Sequence, residues 1–188
     1  AAMAAARAFA DDTTTLYLIP NAVRRVNLHY AFEYYLRLSL MCQEKAYVTS
    51  PRCEGIAVWM RSEEHISFIN TLRAGWPGLP LRCGLRYLIR DAALARRYEA
   101  LRRKLAPKPH LYLALLAIDP ACQGQGFASA LVRPMLQRLD EARLPAYLET
   151  QNLKNVAMYR RFGFNLLQED TMPGTDLTLY LMARPVTA

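Results

Sequence analysis

The sequence predicts an α/β (α+β) fold in which helices flank a mixed central sheet. Leu111 to Ile118 are nearly all apolar, as in a central strand buried on both faces. A glycine-containing turn follows this strand, and a helical run, Ser129 to Ala142, follows the turn. Shorter strand-like segments lie on both sides of this unit. Strands that alternate with helices in this way are typical of layered α/β architectures.

The first half of the chain is predicted to hold three helices and two short strands. The first helix is expected to end at Asp11-Asp12, and the second carries aromatic and leucine side chains on more than one face, which indicates burial on both sides. The predicted elements are helix Met3–Ala10, helix 22–42, strands Ala46–Thr49 and Gly55–Met60 joined by a turn at 50–54, and helix Ile66–Ala74 before Gly75-Trp76-Pro77-Gly78.

The second half begins with a helix whose apolar stripe is Leu94, Tyr98, Leu101 and Leu105, at positions i, i+4, i+7 and i+11. Pro107 and Pro109 are expected to end that helix. Pro134 removes one backbone hydrogen bond from the later helix, at a cost of about 3 kcal/mol in an ideal interior, and predicts a kink. The strands predicted in this half are Leu111–Ile118, Ala146–Thr150, Asn165–Gln168 and Leu177–Met182.

Composition indicates one soluble domain spanning residues 1–188. The chain is 53% hydrophobic and 21% charged, and no apolar run reaches the roughly 20 residues of a membrane helix. Cys42, Cys53, Cys83 and Cys122 are scattered without a nearby histidine pair, so we expect reduced thiols, no metal site and a cytoplasmic protein.

The segment Gln123-Gly124-Gln125-Gly126-Phe127-Ala128 predicts an anion site. Its two glycines allow backbone N–H groups to converge, and the helix that begins there adds unpaired N–H groups. Such a site suits a phosphate or a pyrophosphate. The spacing fits neither a Walker loop, which needs Gly-Lys-Ser/Thr, nor the dinucleotide fingerprint G-x-G-x-x-G.

The same segment matches the pattern Q-x-x-G-x-A, which is the pyrophosphate loop of the GNAT acetyltransferase superfamily. Asn155 to Phe164 resembles the second signature of that family, which is Asn-x-x-x-Tyr ending in Gly-Phe. The resemblance implies a GNAT-like mixed sheet of about six or seven strands. A helical insert before the coenzyme strand, with His110–Leu113 and Tyr147–Thr150, is similar to the puromycin N-acetyltransferase-like branch. Domains of this family often start with a strand that is not visible here and often form homodimers. We therefore expect that the start is trimmed or disordered, and that a homodimer is possible.

The resemblance also implies where acetyl-CoA would bind. The N–H groups of residues 123–128 would face the pyrophosphate, and the strand residues Leu116 and Ile118 would hydrogen-bond the pantetheine arm through their backbone. Asn155 would reach the pantetheine or the phosphates, although an asparagine at this place could also cap a helix.

Two residues are the predicted catalytic groups. Tyr159 matches the tyrosine of the family motif, and a phenol of pKa about 10 can donate its proton to a departing thiolate. Glu149 lies at the end of a strand, where burial would raise its pKa and suit it to accept an amine proton. The alternatives are that Glu149 binds a cationic amine electrostatically, relays the proton through water or forms a structural ion pair, and that His110 is the base. A backbone N–H near Ala117 or Ile118 would meet the oxyanion.

The predicted activity is acetyl transfer to the amine of a small molecule. Tyr30, Tyr34, Tyr35, Trp59 and Tyr112 are candidates for the acceptor pocket, although aromatics at such positions often belong to the core. Acetylation of a protein N-terminus or lysine, and a non-catalytic acyl-CoA-binding module, are the alternatives.

Positive charge is concentrated in residues 82–108, which carry a net charge of +7 out of +8 for the chain. A solvated helical face is the favoured interpretation. Attraction of polyanionic coenzyme A comes next, and binding of nucleic acid, for which no recognisable motif is present, comes last.

Overall fold

The computed structural model describes residues 1–41, 45–62 and 67–186. Nine α-helices and six strands occur in these ranges. The helices are α1 (Ala2–Ala8), α2 (Thr13–Leu18), α3 (Ala22–Arg25), α4 (Leu28–Met41), α5 (Phe68–Arg73), α6 (Leu79–Cys83), α7 (Leu85–Leu105), α8 (Phe127–Glu141) and α9 (Leu153–Arg160). The strands are β1 (Lys45–Val48), β2 (Gly55–Arg61), β3 (Leu111–Ile118), β4 (Ala146–Thr150), β5 (Asn165–Thr171) and β6 (Thr178–Arg184).

The six strands form one mixed sheet in the order β1-β2-β3-β4-β6-β5. Only β3 and β4 are parallel, and the other neighbours are antiparallel. The predicted α/β class and the expected number of strands are therefore confirmed. Helices cover both faces of this sheet, as a central strand buried on both sides requires.

The two faces of the sheet hold different cores. On one face α8 and α9 pack on Trp59, Leu148 and Met182. On the other face α1 and α4 cover Ile56 and Val58, and α7 covers the strands β4 and β6. The helices α7 and α8, which the sequence predicted, therefore lie on opposite sides of the sheet.

A β-bulge in β3 reverses the direction of its side chains. Val58 of β2 is paired with Leu115, but Trp59 is paired with Leu113, so Ala114 is one extra residue on β3. Because side chains alternate along a strand, this extra residue turns every later side chain to the opposite face. Leu113 accordingly packs with the α8 side, and Leu115 packs with the α1 and α4 side.

The predicted helices in the first part of the chain need correction. Helix α1 ends at Ala8, and Asp12 begins a further helix by accepting a hydrogen bond from the N–H of Thr14 at 2.9 Å. The predicted helix 22–42 is two helices, α3 and α4, because the chain turns at residues 26–27. The end of that prediction at Cys42, and the start of helix Ile66–Ala74, lie outside the described residues.

Pro134 lies inside α8, which nonetheless continues to Glu141. Pro134 is exposed, as is Ala130, whose carbonyl loses its helical donor. Water can therefore satisfy that carbonyl, and the buried side of the helix, which carries Leu131 and Met135, keeps its packing.

Candidate active site

The sheet opens between its two parallel strands. Strand β3 pairs with β4 only through Leu111 with Ala146 and Tyr112 with Tyr147. From Leu113 onward, the edge of β3 that faces β4 therefore has no strand partner among the described residues. The split leaves backbone N–H and C=O groups of a core strand available to a ligand, as at any open sheet edge, and the carbonyl of Ile118 accepts a hydrogen bond from Nε2 of Gln123 at 3.3 Å.

A cavity of about 630 Å³ lies beside this split at the start of α8. The predicted coenzyme residues that line it are Leu116, Ile118, Gln123, Gly124, Gly126, Phe127, Ala128, Asn155 and Tyr159. Cys122 also lines this cavity. Gln125 does not line it, because its side-chain amide donates to the carbonyl of Ala121 at 3.2 Å. Only the backbone of Gln125 remains for the predicted role.

The turn before α8 needs glycine for two separate reasons. Gly124 has φ +77° and Gly126 has φ +85°, in the left-handed region that other residues enter at a cost. A Cβ atom at either position would meet no other atom within 4 Å, so the space beside each glycine is open. Gly126 is also the N-cap of α8, where unpaired N–H groups favour an anion. This loop therefore fits the pyrophosphate of a coenzyme.

Three basic residues that the sequence analysis did not single out line the same cavity. They are Arg133 of α8, Lys154 of α9 and Arg161, which follows α9. The guanidinium of Arg133 lies 5.6 Å from the ring centre of Phe162. Positive side chains around a loop of N–H donors strengthen its fit to a phosphate-bearing ligand.

Helix α9 brings Asn155 and Tyr159 to the split on adjacent turns. Its N-cap is Asn152, which accepts a hydrogen bond from the N–H of Lys154 at 2.9 Å. Asn155 is therefore not the cap, and its side-chain amide instead donates to Oγ1 of Thr150 at 3.3 Å. This contact connects α9 to the end of β4.

Tyr159 is buried, with 7% of its surface exposed, and its ring lies edge-on to Phe164 with the centroids 5.9 Å apart. Burial raises the pKa of this phenol well above its ordinary value. Its hydroxyl therefore stays protonated throughout the physiological pH range.

A second cavity, of about 300 Å³, lies on the face of the sheet that carries α4 and α7. Tyr35 and Tyr112 line it as the sequence predicted, and so do Phe9, Phe32, Tyr87 and Tyr98. The other three predicted aromatics do not: Trp59 is buried in the core, Tyr30 lies under the guanidinium of Arg82, and Tyr34 packs in the cluster formed by α4, α6 and α7.

The two cavities meet at the split. Five residues line both of them, namely Phe9, Asp12, Leu116, Asn155 and Tyr159. A ligand in the larger cavity can thus approach a ligand in the smaller one beside Tyr159. Two of the five come from the N-terminal segment, which Arg7 fastens to the start of the glycine turn by donating from Nε to Asp119 at 2.9 Å.

Glu149 of β4 lines the smaller cavity, and both of its carboxylate oxygens are buried without a well-formed hydrogen bond. Burial raises its pKa to about 7, while Arg102 and the hydroxyls of Tyr112 and Tyr147 oppose part of that rise. A carboxylate with a pKa near neutrality can accept and release a proton at physiological pH.

Arg102 lies near Glu149 but is held by other groups. Its guanidinium covers the ring of Tyr112 at 4.4 Å and donates to Glu99 at 3.0 Å. The predicted alternative of a structural ion pair is therefore absent, because among the described residues Glu149 has no cation within salt-bridge distance.

His110, the alternative base, lies outside both cavities. It is buried, its Nδ1 contacts the carbonyl of Pro107 at 2.6 Å, and its ring faces Tyr147 edge-on. Burial lowers its pKa, so it is mostly neutral at physiological pH. The geometry gives this residue a structural position at the start of β3.

The basic residues of α7 line neither cavity. Arg97 pairs with Asp170 at 2.6 Å, Arg103 pairs with Glu99 at 2.6 Å, and Arg90 lies over Tyr17. The first of these contacts connects α7 to β5, the second lies within α7, and the third connects α7 to α2.

Residues 1–41, 45–62 and 67–186 contain no group of three or more histidine, cysteine, aspartate or glutamate side chains that could hold a metal ion. No described helix is long and apolar enough to cross a membrane.

Residues 32–164 match the model of the Acetyltransferase (GNAT) family, which is more than two thirds of the chain. An uncharacterized N-acetyltransferase of Schizosaccharomyces pombe is 36% identical over 53 residues, which are 28% of this chain. The matched region spans 22% of the length of that curated relative.

Solved structures share the fold. One is described as histone acetyltransferase HPA2 and related acetyltransferase from Corynebacterium glutamicum, with a TM-score of 0.68 and 22% identity over 100% of this chain and 90% of that chain. Another is the NatC complex bound to Gag peptide and CoA, with a TM-score of 0.50 and 14% identity over 83% of this chain and 80% of that chain.

Proposed function

The chain belongs to the GNAT acetyltransferase family, and from that membership we propose that it transfers the acetyl group of acetyl-CoA to a primary amine of a small molecule by direct attack in a ternary complex. The observation that carries this proposal is the meeting of two cavities in the split between β3 and β4, with Tyr159 lining both. A ternary complex needs two adjoining binding spaces with a proton donor between them.

The larger cavity is the proposed site of acetyl-CoA, which supplies an activated acyl thioester. The N–H groups of residues 123–128 and the start of α8 would hold the pyrophosphate, with Arg133, Lys154 and Arg161 adding charge. The free edge of β3 at Leu116 and Ile118 would pair with the amides of the pantetheine arm, as an added strand does. Asn155 would add one side-chain hydrogen bond.

We propose Glu149 as the general base. Its carboxylate would take a proton from the acceptor nitrogen as the new N–C bond forms. A backbone N–H on the free edge of β3 would meet the charge that develops on the carbonyl oxygen. Ala117 and Ile118 are the residues expected from the sequence, and Ala114 at the bulge is a further candidate because it lines the acceptor cavity.

Tyr159 would complete the reaction by giving its proton to the sulfur as the C–S bond breaks. Although burial raises the pKa of the phenol, the same apolar surroundings raise the pKa of a thiol that leaves there. The phenolate of Tyr159 and the thiolate of the coenzyme would both be poorly solvated there. Transfer of the phenol's proton to the thiolate therefore remains feasible. The products would be an amide and a free thiol, with the phenolate regaining its proton through solvent.

The size and lining of the acceptor cavity support a small molecule. Its volume of about 300 Å³ is at the lower end for ligand pockets, and aromatic side chains form much of its wall. We further propose a relation to the puromycin N-acetyltransferase-like branch, which the long helix α7 before β3 supports.

The test is thiol release from acetyl-CoA with a panel of small amines and a panel of peptides with free N-termini and lysines, beside titration of acetyl-CoA by calorimetry. We expect release with small amines. Release with peptides alone would replace this proposal by protein acetylation, and binding without any release would indicate a non-catalytic module.

A further inference from the structure

Asp91 is a carboxylate without a partner in the acceptor cavity. It lies on α7, is partly buried and lines the cavity. Among the described residues it makes neither a hydrogen bond nor an ion pair, although the chain carries 24 lysines and arginines against 16 acidic residues. A partly buried carboxylate in a cavity that a strongly basic protein leaves unpaired is a candidate for binding a cationic ligand.

The cavity-facing stripe of α7 carries two aromatic rings besides this carboxylate. Tyr87, Asp91, Leu94 and Tyr98 stand at i, i+4, i+7 and i+11, and all four line the cavity. The hydroxyl of Tyr98 is also buried without a hydrogen-bond partner. Tyr rings beside a carboxylate favour an ammonium group, through the ring quadrupole and the charge together.

The surroundings of Asp91 favour the arrival of a positive charge. Burial alone raises its pKa to about 6, and no cation counteracts that rise. Tyr87 and Cys83 are close enough to be affected by its charge, and neither is positive. A bound cation would therefore meet a carboxylate that forms no ion pair with any described residue.

Asp91 and Glu149 lie at separate places along the cavity. Tyr98, whose pKa is raised partly by the charge of Glu149, is seven residues from Asp91 on the same helix. At 1.5 Å per residue this is about 10 Å along the helix axis. Two ligand nitrogens that each contact one carboxylate would thus be separated by a spacer of several methylene groups.

We propose that the acceptor carries a second cationic group and that Asp91 binds it, so that the substrate class is diamines with an apolar spacer. This inference rests on the acetyl transfer proposed above. In it Glu149 takes the proton from the reacting nitrogen, and Asp91 holds the other nitrogen as an ammonium group. The aromatic wall between the two carboxylates contacts the spacer.

The experiment compares terminal diamines from propane to octane with the monoamines of the same chain lengths. For the wild type we expect kcat/KM to be higher for diamines and to peak at intermediate length. In Asp91→Asn, the ratio of diamine to monoamine kcat/KM should fall by roughly ten- to a hundredfold, as expected when a charged hydrogen bond is lost. Asp91→Glu should restore part of the ratio with a shifted optimum length.

Asp176→Asn is the matched control, because Asp176 is exposed and lines neither cavity. It should keep the wild-type ratio. A ratio that Asp91→Asn leaves unchanged, or a wild type that shows no preference for diamines, would overturn the inference while the acetyl transfer stands. If circular dichroism shows that Asp91→Asn is unfolded, the inference is judged from the wild type alone, by whether its kcat/KM for diamines peaks at an intermediate chain length.

If no amine is acetylated, the proposed function fails. The role of Asp91 is then tested separately, by the binding of amines to the protein. Calorimetry of hexanediamine and hexylamine against the wild type and Asp91→Asn should then show tighter diamine binding to the wild type alone. Equal affinities for the two amines would overturn the inference.

Discussion

Tyr112 and Tyr147 are the last residues that pair between β3 and β4, and their rings lie 6.0 Å apart beside Glu149. Beyond them the two strands part. Bulky rings at the point of separation fill the space below the split, on the face that carries α7. The hydroxyls of Tyr112 and Tyr147 lower the pKa of Glu149 and so help to set its charge state. The pair therefore connects the opening of the sheet to the electrostatics of the proposed base.

Tyr159→Phe should lower kcat by one to three orders of magnitude, because the variant lacks the proton that the leaving sulfur needs. The ring remains, so its packing on Phe164 and the affinity for acetyl-CoA should change little. Stopped-flow or steady-state thiol release gives kcat, and calorimetry gives the dissociation constant. Tyr180→Phe, on β6 and outside both cavities, is the control for loss of a hydroxyl. Unchanged kcat in Tyr159→Phe at saturating substrates would remove this residue from the mechanism.

The pH–rate profile of the wild type should have an acidic limb near pH 7, because the pKa of Glu149 is raised to about 7 and only its carboxylate can accept the proton. Glu149→Gln should lower kcat and lose this limb. The measurement uses kcat at saturating acceptor, with an amine whose own pKa is below about 6, so that the substrate does not titrate in the same range. A variant that keeps the wild-type limb would show that the base is elsewhere.

Stability gives a test of the same carboxyl that does not depend on catalysis. The folded pKa of Glu149, about 7, is above its ordinary value of 4.5, so the folded state binds more protons than the unfolded state between these pH values. The free energy of unfolding therefore falls as pH rises through that window, by at most about 3 kcal/mol from this group. Glu149→Gln lacks this effect, so its stability relative to the wild type should rise between pH 5 and pH 8.

Urea denaturation of both proteins at several pH values measures this difference. Other titrating groups, including Asp91, are common to the two proteins and largely cancel in the comparison. A difference in stability that stays constant with pH would mean that Glu149 is ionised in the folded state at all these pH values.

The sequence predicts β3 and β4 well, because an apolar run bounded by turn residues has few other interpretations. It does not predict the bulge at Ala114, since a bulge is defined by the pairing of β3 with β2 and not by β3 alone. Helix α2 did carry a local signal, the N-cap Asp12. Three consecutive threonines have low helix propensity, and they obscured that signal.

Residues that line the larger cavity could be picked out where they lie in a motif, as for Gly124, Gly126 and Tyr159, and their roles stay predictions. Asp91 was not predictable, because in the sequence it is one acidic residue in a basic segment, and only the packing of α7 on the sheet turns it into the cavity. Arg133 likewise cannot be distinguished in the sequence from an ordinary surface charge, and only the packing of α8 beside the glycine turn brings it to the larger cavity. Positions that depend on tertiary packing are beyond the reach of local patterns.

Gly126→Ala should separate backbone strain from ligand binding when it is compared with Gly174→Ala. Both glycines have positive φ, +85° and +74°, and a Cβ at either would meet no atom within 4 Å. Each variant should therefore lose about 1 kcal/mol of stability from the left-handed backbone.

Only Gly126 lines the proposed coenzyme cavity, where the new methyl group would occupy the space beside the converging N–H groups. The dissociation constant for acetyl-CoA should accordingly rise roughly tenfold or more in Gly126→Ala, a loss comparable to one or two hydrogen bonds to a charged group, and stay near the wild-type value in Gly174→Ala. Urea denaturation and calorimetry on the two variants measure both quantities. If Gly126→Ala bound acetyl-CoA as tightly as Gly174→Ala does, the pyrophosphate would not lie against this turn, and the coenzyme would have to be placed elsewhere along the split between β3 and β4.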